Sequence, residues 1–206
     1  MPRHRFHKLD PSQQERILDA ALAEFAAHGF GEASLNRIID AAGISKGSMY
    51  YYFDSKDDLY AHVIRDRLAR LLERAGPFPI PTASDPEGYW ATLTAHYVRL
   101  MTALVGDSAT AGLLRGWLSG RDTPALSAAQ HDAEQDLIPW LVSAITAGQQ
   151  IGAVRTDLPL DLVIAATMAL GRALDTWLIT QPPDDTDLEE AAQTLIGLIR
   201  RVVAPA

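Results

Sequence analysis

Between Ser34 and Phe53 the chain starts and stops two helices in quick succession, and this punctuation limits the fold more than any other feature of the sequence. Ser34 can cap a helix whose apolar stripe is Ile38, Ile39 and Ala42 and whose stop is Gly43, a length of about eight residues. Ser45 then caps a third helix of the chain, which runs through roughly Tyr52. Gly43 permits a left-handed turn, Ile44 plugs the angle between the two helices, and Ala42 lets them approach closely. The segment reads as a tight helix-turn-helix.

The rest of the chain is punctuated in the same way, and it lacks the sustained period-2 alternation that marks strands. Asp10 and Pro11 open a first helix in which Ile17, Leu18, Ala21, Leu22 and Phe25 recur at helical spacing. Gly29 is expected to end it at a left-handed position, giving a helix from about Pro11 to His28. Ser55 caps a long fourth helix carrying Leu59, Val63, Ile64, Leu68, Leu71 and Leu72. The segment Gly76-Pro77-Phe78-Pro79-Ile80-Pro81 cannot continue it, because its prolines lack donors and fix φ. Further helices are predicted from Asp85-Pro86 to about Val105, from Ser108 to Ser119 before Gly120, and from Thr123-Pro124 through Gln150, where Pro139 kinks or splits the last. Two more run from Asp157–Pro159 to about Ile179, before Pro182-Pro183, and from the capping box Asp187-Leu188-Glu189-Glu190 to Val203. The expected class is all-α with about nine helices. A three-helix helix-turn-helix domain would occupy residues 1–54 and a larger helical domain residues 55–206, with the fourth helix, about 55–75, as the connection.

The composition, 48% hydrophobic and 21% charged, is globular. No apolar run approaches the roughly 20 residues of a membrane span, and the basic stretch Met1 to Lys8 is followed by polar sequence and not by the apolar core of a secretory signal. With no cysteine there is neither a disulfide framework nor a thiolate metal site. A cytoplasmic protein without a membrane partner is expected. The net charge of −8 argues against a nucleic-acid partner until it is divided along the chain. Residues 1–75 hold 11 Lys/Arg and 11 Asp/Glu, leaving 7 and 15 beyond them, so the acidity belongs to the C-terminal part. Arg3, Arg5 and Lys8 precede any acid, with His4 and His7 among them, and charge alone leaves open whether this is a solvated tail or a DNA-contacting arm.

The third helix begins with Ser45, Lys46, Gly47 and Ser48, which are small or basic and leave backbone N–H groups accessible to phosphate oxygens. In a helix-turn-helix the second helix of the pair enters the major groove. The run Gly43-Ile44-Ser45-Lys46-Gly47-Ser48-Met49-Tyr50-Tyr51-Tyr52-Phe53 followed by Ser55-Lys56 resembles the DNA-binding signature of the tetracycline-repressor (TetR) family. The likeness extends back through Phe25-Ala26-Ala27-His28-Gly29-Phe30 and Ile17-Leu18-Asp19-Ala20-Ala21, covering about residues 12–65, and a weaker one lies in Gly148 to Asp157. It implies that Ser34 meets phosphate, that Asn36 reaches a base, and that Ser45, Lys46, Gly47 and Ser48 meet the groove. Tyr50 and Tyr51 would reach phosphate or bases, and Lys56 would clamp phosphate from the start of the fourth helix. Ile39 stands where the family usually has alanine, and Tyr52 where histidine is common. Capping by Ser34 and Ser45 is compatible with phosphate contact. Phe53, three residues beyond Tyr50, is expected in the core.

An enzymatic reading fails at its context. Gly43-Ile44-Ser45-Lys46-Gly47 matches the G-x-S-x-G elbow of α/β hydrolases, but that elbow needs a preceding strand and a central sheet. The histidines are scattered without the i, i+4 spacing of a zinc helix, so neither a metal nor a cofactor is expected. In the C-terminal domain Val163, Ala166, Leu170, Leu174 and Trp177 on one helix, with Leu195 and Ile199 on the last, outline an interface between two copies, the alternative being an ordinary core within one chain. Trp90, His96, Tyr97, Met101, Arg115, Trp117, Trp140, Met168, Arg172 and Asp175 are candidates for an effector pocket, although aromatics at helical spacing are more often core. Arginines amid apolar residues want an anion, and Asp175 is the internal alternative. The expected protein is a homodimeric regulator, a repressor released from a palindromic operator by a small-molecule effector.

Overall fold

Local caps decide where most helices begin. The computed structural model describes residues 2–118, 124–180 and 188–205. Over these the chain forms α1 (Pro11–Glu32), α2 (Leu35–Ala42), α3 (Lys46–Tyr52), α4 (Lys56–Ala75), α5 (Pro86–Val105), α6 (Ser108–Leu118), α7 (Pro124–Gln150), α8 (Leu160–Thr180) and α9 (Leu188–Val203), with no strand among the described residues. The all-α class is as the sequence implied. Each of four starts has a side-chain oxygen accepting an otherwise orphaned N–H. Asp10 accepts from Ser12 at 2.9 Å, Ser45 from Ser48 at 3.0 Å, Ser55 from Asp58 at 3.1 Å, and Asp85 from Gly88 at 2.9 Å. Gly43, at φ 67°, ends α2 in the left-handed conformation.

Three local features add to the expectation. Gly29 takes the expected positive φ of 63° and breaks the helix there, and one further turn follows the kink as far as Glu32. Pro139 lies within α7, which is one continuous element and is not split. Phe6–Lys8 form a single turn of 3-10 helix where only an arm was foreseen. The expected boundaries at Ser119, Gly120, Thr123, Pro182-Pro183 and Asp187 lie outside the described residues.

The chain divides into two compact units, Met1–Arg70 with Asp107–Ala133, and Leu71–Gly106 with Glu134–Ala206. In the first, α1 packs against α2 and α6, and Ile17, Phe25, Ile38, Met49, Phe53, Leu59 and Ile64 are at most 1% exposed. Tyr60 packs its tilted ring with centroids 4.6 Å from Phe25 and 5.1 Å from Phe30, and burial pushes its phenol up to about 12. Arg67 of α4 reaches Asp19 of α1 at 2.8 Å, and Arg70 pairs with Glu15. In the second unit, α9 packs on α5 and α8, around Tyr89, Trp90, Ile145, Ala153, Val154, Val163 and Val203. The backbone N–H of Arg155 donates to Val203 O at 2.8 Å, tying the turn before α8 to the end of α9. Both α4 and α7 run from one unit into the other. No described helix is long and apolar enough to cross a membrane.

Candidate functional site

The short helix α2 is held by an acid from α1. Glu24 falls on the apolar stripe of α1, three residues after Ala21, and is only 8% exposed. Its Oε1 accepts from the Ser34 N–H at 2.7 Å and from Arg37 Nη2 at 2.5 Å, while Arg37 Nε lies 2.9 and 3.0 Å from the two oxygens. The Arg37 hydrogen bond, reinforced by the Ser34 N–H, holds the Glu24 carboxyl below its usual range. Arg37 also donates to Glu32 O at 3.0 Å. One carboxylate therefore fixes both the cap and the first turn of α2. The sequence reading missed this pair, though an acid on an apolar stripe was a visible signal.

On α3 the helical period separates core from surface. Met49 and Phe53 are each 1% exposed, whereas Tyr50 and Tyr51 are 46% and 44% exposed. Lys46 and Gly47 are exposed, as is Asn36 on α2. Phe53 is thus core and Tyr50 is not, as helical spacing suggested. Ser45 and Ser48 serve each other, with their hydroxyls 2.8 Å apart and the Ser48 N–H on Ser45 Oγ. Ser34 Oγ accepts from the Arg37 N–H at 3.4 Å. The structure brings Ser34, Asn36, Ser45, Lys46, Gly47, Ser48, Tyr50 and Tyr51 onto α2, α3 and their caps.

Lys56 has an intramolecular task that the sequence did not reveal. Its Nζ donates to Gly31 O at 3.2 Å and Ala33 O at 3.1 Å and sits 4.6 Å from the Phe30 ring centroid. These are carbonyls at the end of α1, where a cation is favoured. Of the two departures from the family pattern, Ile39 is buried at 6% exposure, and the half-buried Tyr52 ring lies 6.2 Å from Phe6.

The pocket candidates fall in both compact units. Arg115 and Trp117 are on α6 in the first, and the other eight are in the second. Trp90 and Met101 are buried, and Trp90 belongs to the core cluster of its unit. Met168 is half-buried. Trp140 donates its indole N–H to Pro79 O at 2.8 Å and packs 4.8 Å from Phe78. His96 is 3% exposed, packs at a tilt with its ring 4.9 Å from that of Phe78, and has Nδ1 3.2 Å from the Arg99 guanidinium. Burial, then Arg99, pushes its pKa down. Tyr97 donates to Asp175 at 2.6 Å, and burial raises both the phenol and the carboxyl. Arg115 and Arg172, which the sequence sets amid apolar residues, are both exposed, so burial does not call for an anion at either.

The expected interface residues also need correction. Val163 and Leu195 are each 2% exposed inside their own chain, so neither can meet a second copy. Ala166, Leu170, Leu174 and Ile199 are half-buried, and Ile199 packs against the core cluster. Trp177 stays on the surface at 52% exposure, and with Leu162 at 51% and the exposed Ala165, Ala169 and Ala173 it traces an outward face of α8, one step round the helix.

These features define a helix-turn-helix DNA-binding protein with an all-helical second unit. Residues 17–63 match the model of the bacterial regulatory proteins of the tetR family. The chain is 22% identical to the fatty acid metabolism regulator protein of Bacillus subtilis over 173 residues, covering 82% of this chain and 86% of that protein. It is 42% identical to the HTH-type transcriptional regulator RutR of Escherichia coli over 57 residues, 28% of this chain and only 27% of RutR. The structure of FadR from Bacillus subtilis in complex with stearoyl-CoA has the same fold, with a TM-score of 0.67 at 20% identity, covering 90% of this chain and 96% of that one. Residues 17–63 therefore form a DNA-binding domain of the tetR family, and the whole chain shares the fold of solved regulators of that kind.

Proposed function

We propose that the protein is a repressor that binds a palindromic operator as a homodimer and leaves it when a small-molecule effector occupies the second unit. The observation that carries this reading is the split of α3. Met49 and Phe53 are sealed in the core while Lys46, Gly47, Tyr50 and Tyr51 face solvent beside a capped turn. A seven-residue helix that spends two tyrosines on solvent has a surface built for contact.

Dimerisation is supported by the outward α8 face around Leu162 and Trp177, where small residues allow a second helix to approach. Control by an effector is supported by the continuity of α4 and α7 between the units, and by the FadR structure, which holds an acyl-CoA. A coupling of roughly 1–3 kcal/mol would change operator affinity about 5–150-fold. In this reading the protein acts in the cytoplasm and catalyses no reaction.

The test is fluorescence anisotropy with duplex DNA from upstream of its own gene. Lys46→Ala and Tyr50→Ala should each weaken binding by about tenfold, with little change in thermal stability because both side chains are exposed. Absent or salt-insensitive binding by the wild-type protein would sink the reading.

A further inference from the structure

The segment before α1 is built into the first unit. Phe6 is 1% exposed, with its ring 4.9 Å from Phe53, 5.3 Å from His62 and 6.2 Å from Tyr52. The Arg3 N–H donates to Tyr52 O at 2.9 Å, just where α3 ends, and Arg3 Nε donates to Asp54 Oδ1 at 2.9 Å. An aromatic plug, a backbone hydrogen bond and an ion pair hold this segment on the end of α3. Between those anchors, the Arg5 guanidinium carbon lies 3.7 Å above the centroid of the Tyr51 ring, on an exposed face of the same helix.

We infer that Arg5 is a DNA-phosphate contact carried by the N-terminal segment, with Tyr51 as its positioning residue. The inference rests on the proposed DNA-binding reading and extends the contact surface beyond α2 and α3. The first 75 residues are net neutral, so affinity for a polyanion has to come from individual cations on the contact face and not from a broad positive field. Arg3 is neutralised by Asp54 and Arg37 by Glu24. Arg5 and Lys46 are exposed, and among the described residues neither has a carboxylate partner. A guanidinium held over a tyrosine face by cation–π attraction spends no N–H group on a carboxylate and keeps them for phosphate oxygens. It also has less freedom left to lose on binding than a loose side chain would.

The experiment is a salt titration of full-length protein binding to two fluorescent duplexes, one from upstream of its own gene and one of unrelated sequence. Arg5→Ala should weaken both by a similar factor, about tenfold at low salt. It should also lower the slope of log affinity against log salt by about one per protomer. Arg5→Lys should restore the slope, because it restores the charge. In a double-mutant cycle, Arg5→Ala and Tyr51→Leu should be non-additive. Wild-type binding with an unchanged affinity and slope in Arg5→Ala overturns this inference alone and leaves the DNA-binding reading intact. A loss confined to the cognate duplex also overturns it, since a phosphate contact is blind to sequence, and additive effects remove the role given to Tyr51. Failure of the wild-type protein to bind either duplex overturns both readings together.

Discussion

Replacing Glu24 with alanine should loosen α2 more than its single carboxylate suggests. The substitution strips the Ser34 backbone N–H of its acceptor and the Arg37 guanidinium of its anchor at once. Breaking a fully buried pair costs roughly 3–5 kcal/mol. Here the Arg37 side chain is 54% exposed and keeps its bond to Glu32 O, so water recovers part of that loss. About 2 kcal/mol remains, the range of a hydrogen bond to a charged group plus an orphaned amide. Glu24→Gln retains an acceptor for Ser34 and should cost about half as much. Because the chain has two compact units, a global unfolding midpoint alone is ambiguous. Urea unfolding should therefore be paired with hydrogen exchange of the peptide covering 34–42, where opening should become about 30-fold more frequent. A cycle with Arg37→Ala should give a coupling above about 1 kcal/mol. A change under about 0.5 kcal/mol in Glu24→Ala, or a coupling near zero, would refute the argument and leave α2 held by Ile38 and Ile39 alone.

Acid should destabilise the first unit through His62, whose burial takes its pKa from 6.5 down to about 4. The unfolded chain then takes the proton first, so stability is complete above pH 6.5 and is lost as pH falls towards 4, by about 1–2 kcal/mol at pH 5. His62→Phe should flatten the difference between unfolding at pH 7 and pH 5, and an unchanged pH dependence would mean that the imidazole stays accessible to protons. In the second unit, a Cβ on Gly148 would lie 2.6 Å from Val154 Cγ2 and 2.8 Å from Tyr89 Cζ. The Tyr89 ring is pinned by its hydrogen bond to Ala144 O at 3.0 Å. Gly148→Ala should therefore lower stability by about 1–3 kcal/mol in a thermal melt, and a wild-type melting temperature would show that the ring can yield.

Much of the contact surface was legible from local chemistry. Ser34, Gly43 and Ser45 act on backbone groups within a turn of themselves, so their pattern places α2 and α3 without reference to anything distant. The three-residue step from Tyr50 to Phe53 likewise sorts one outward and the other inward. What resisted reading was every question of which neighbour covers a given face. Lys56 has the position of a phosphate clamp by resemblance, yet its ammonium meets carbonyls contributed by residues 31 and 33. Val163 and Leu195 fit an apolar stripe for a second copy but are already covered by their own chain. Arg115 and Arg172 sit among apolar letters and still reach water.

The sequence alone determined the helices, their caps and the turn that pairs α2 with α3, because those interactions close within a few residues. The tertiary structure alone decided that Phe6 is a core residue and that Arg5 lies over Tyr51. It likewise decided that the acid holding α2 comes from α1. These depend on partners between 10 and 56 positions apart, which meet only once α1, α3 and α4 have packed and excluded water from between them.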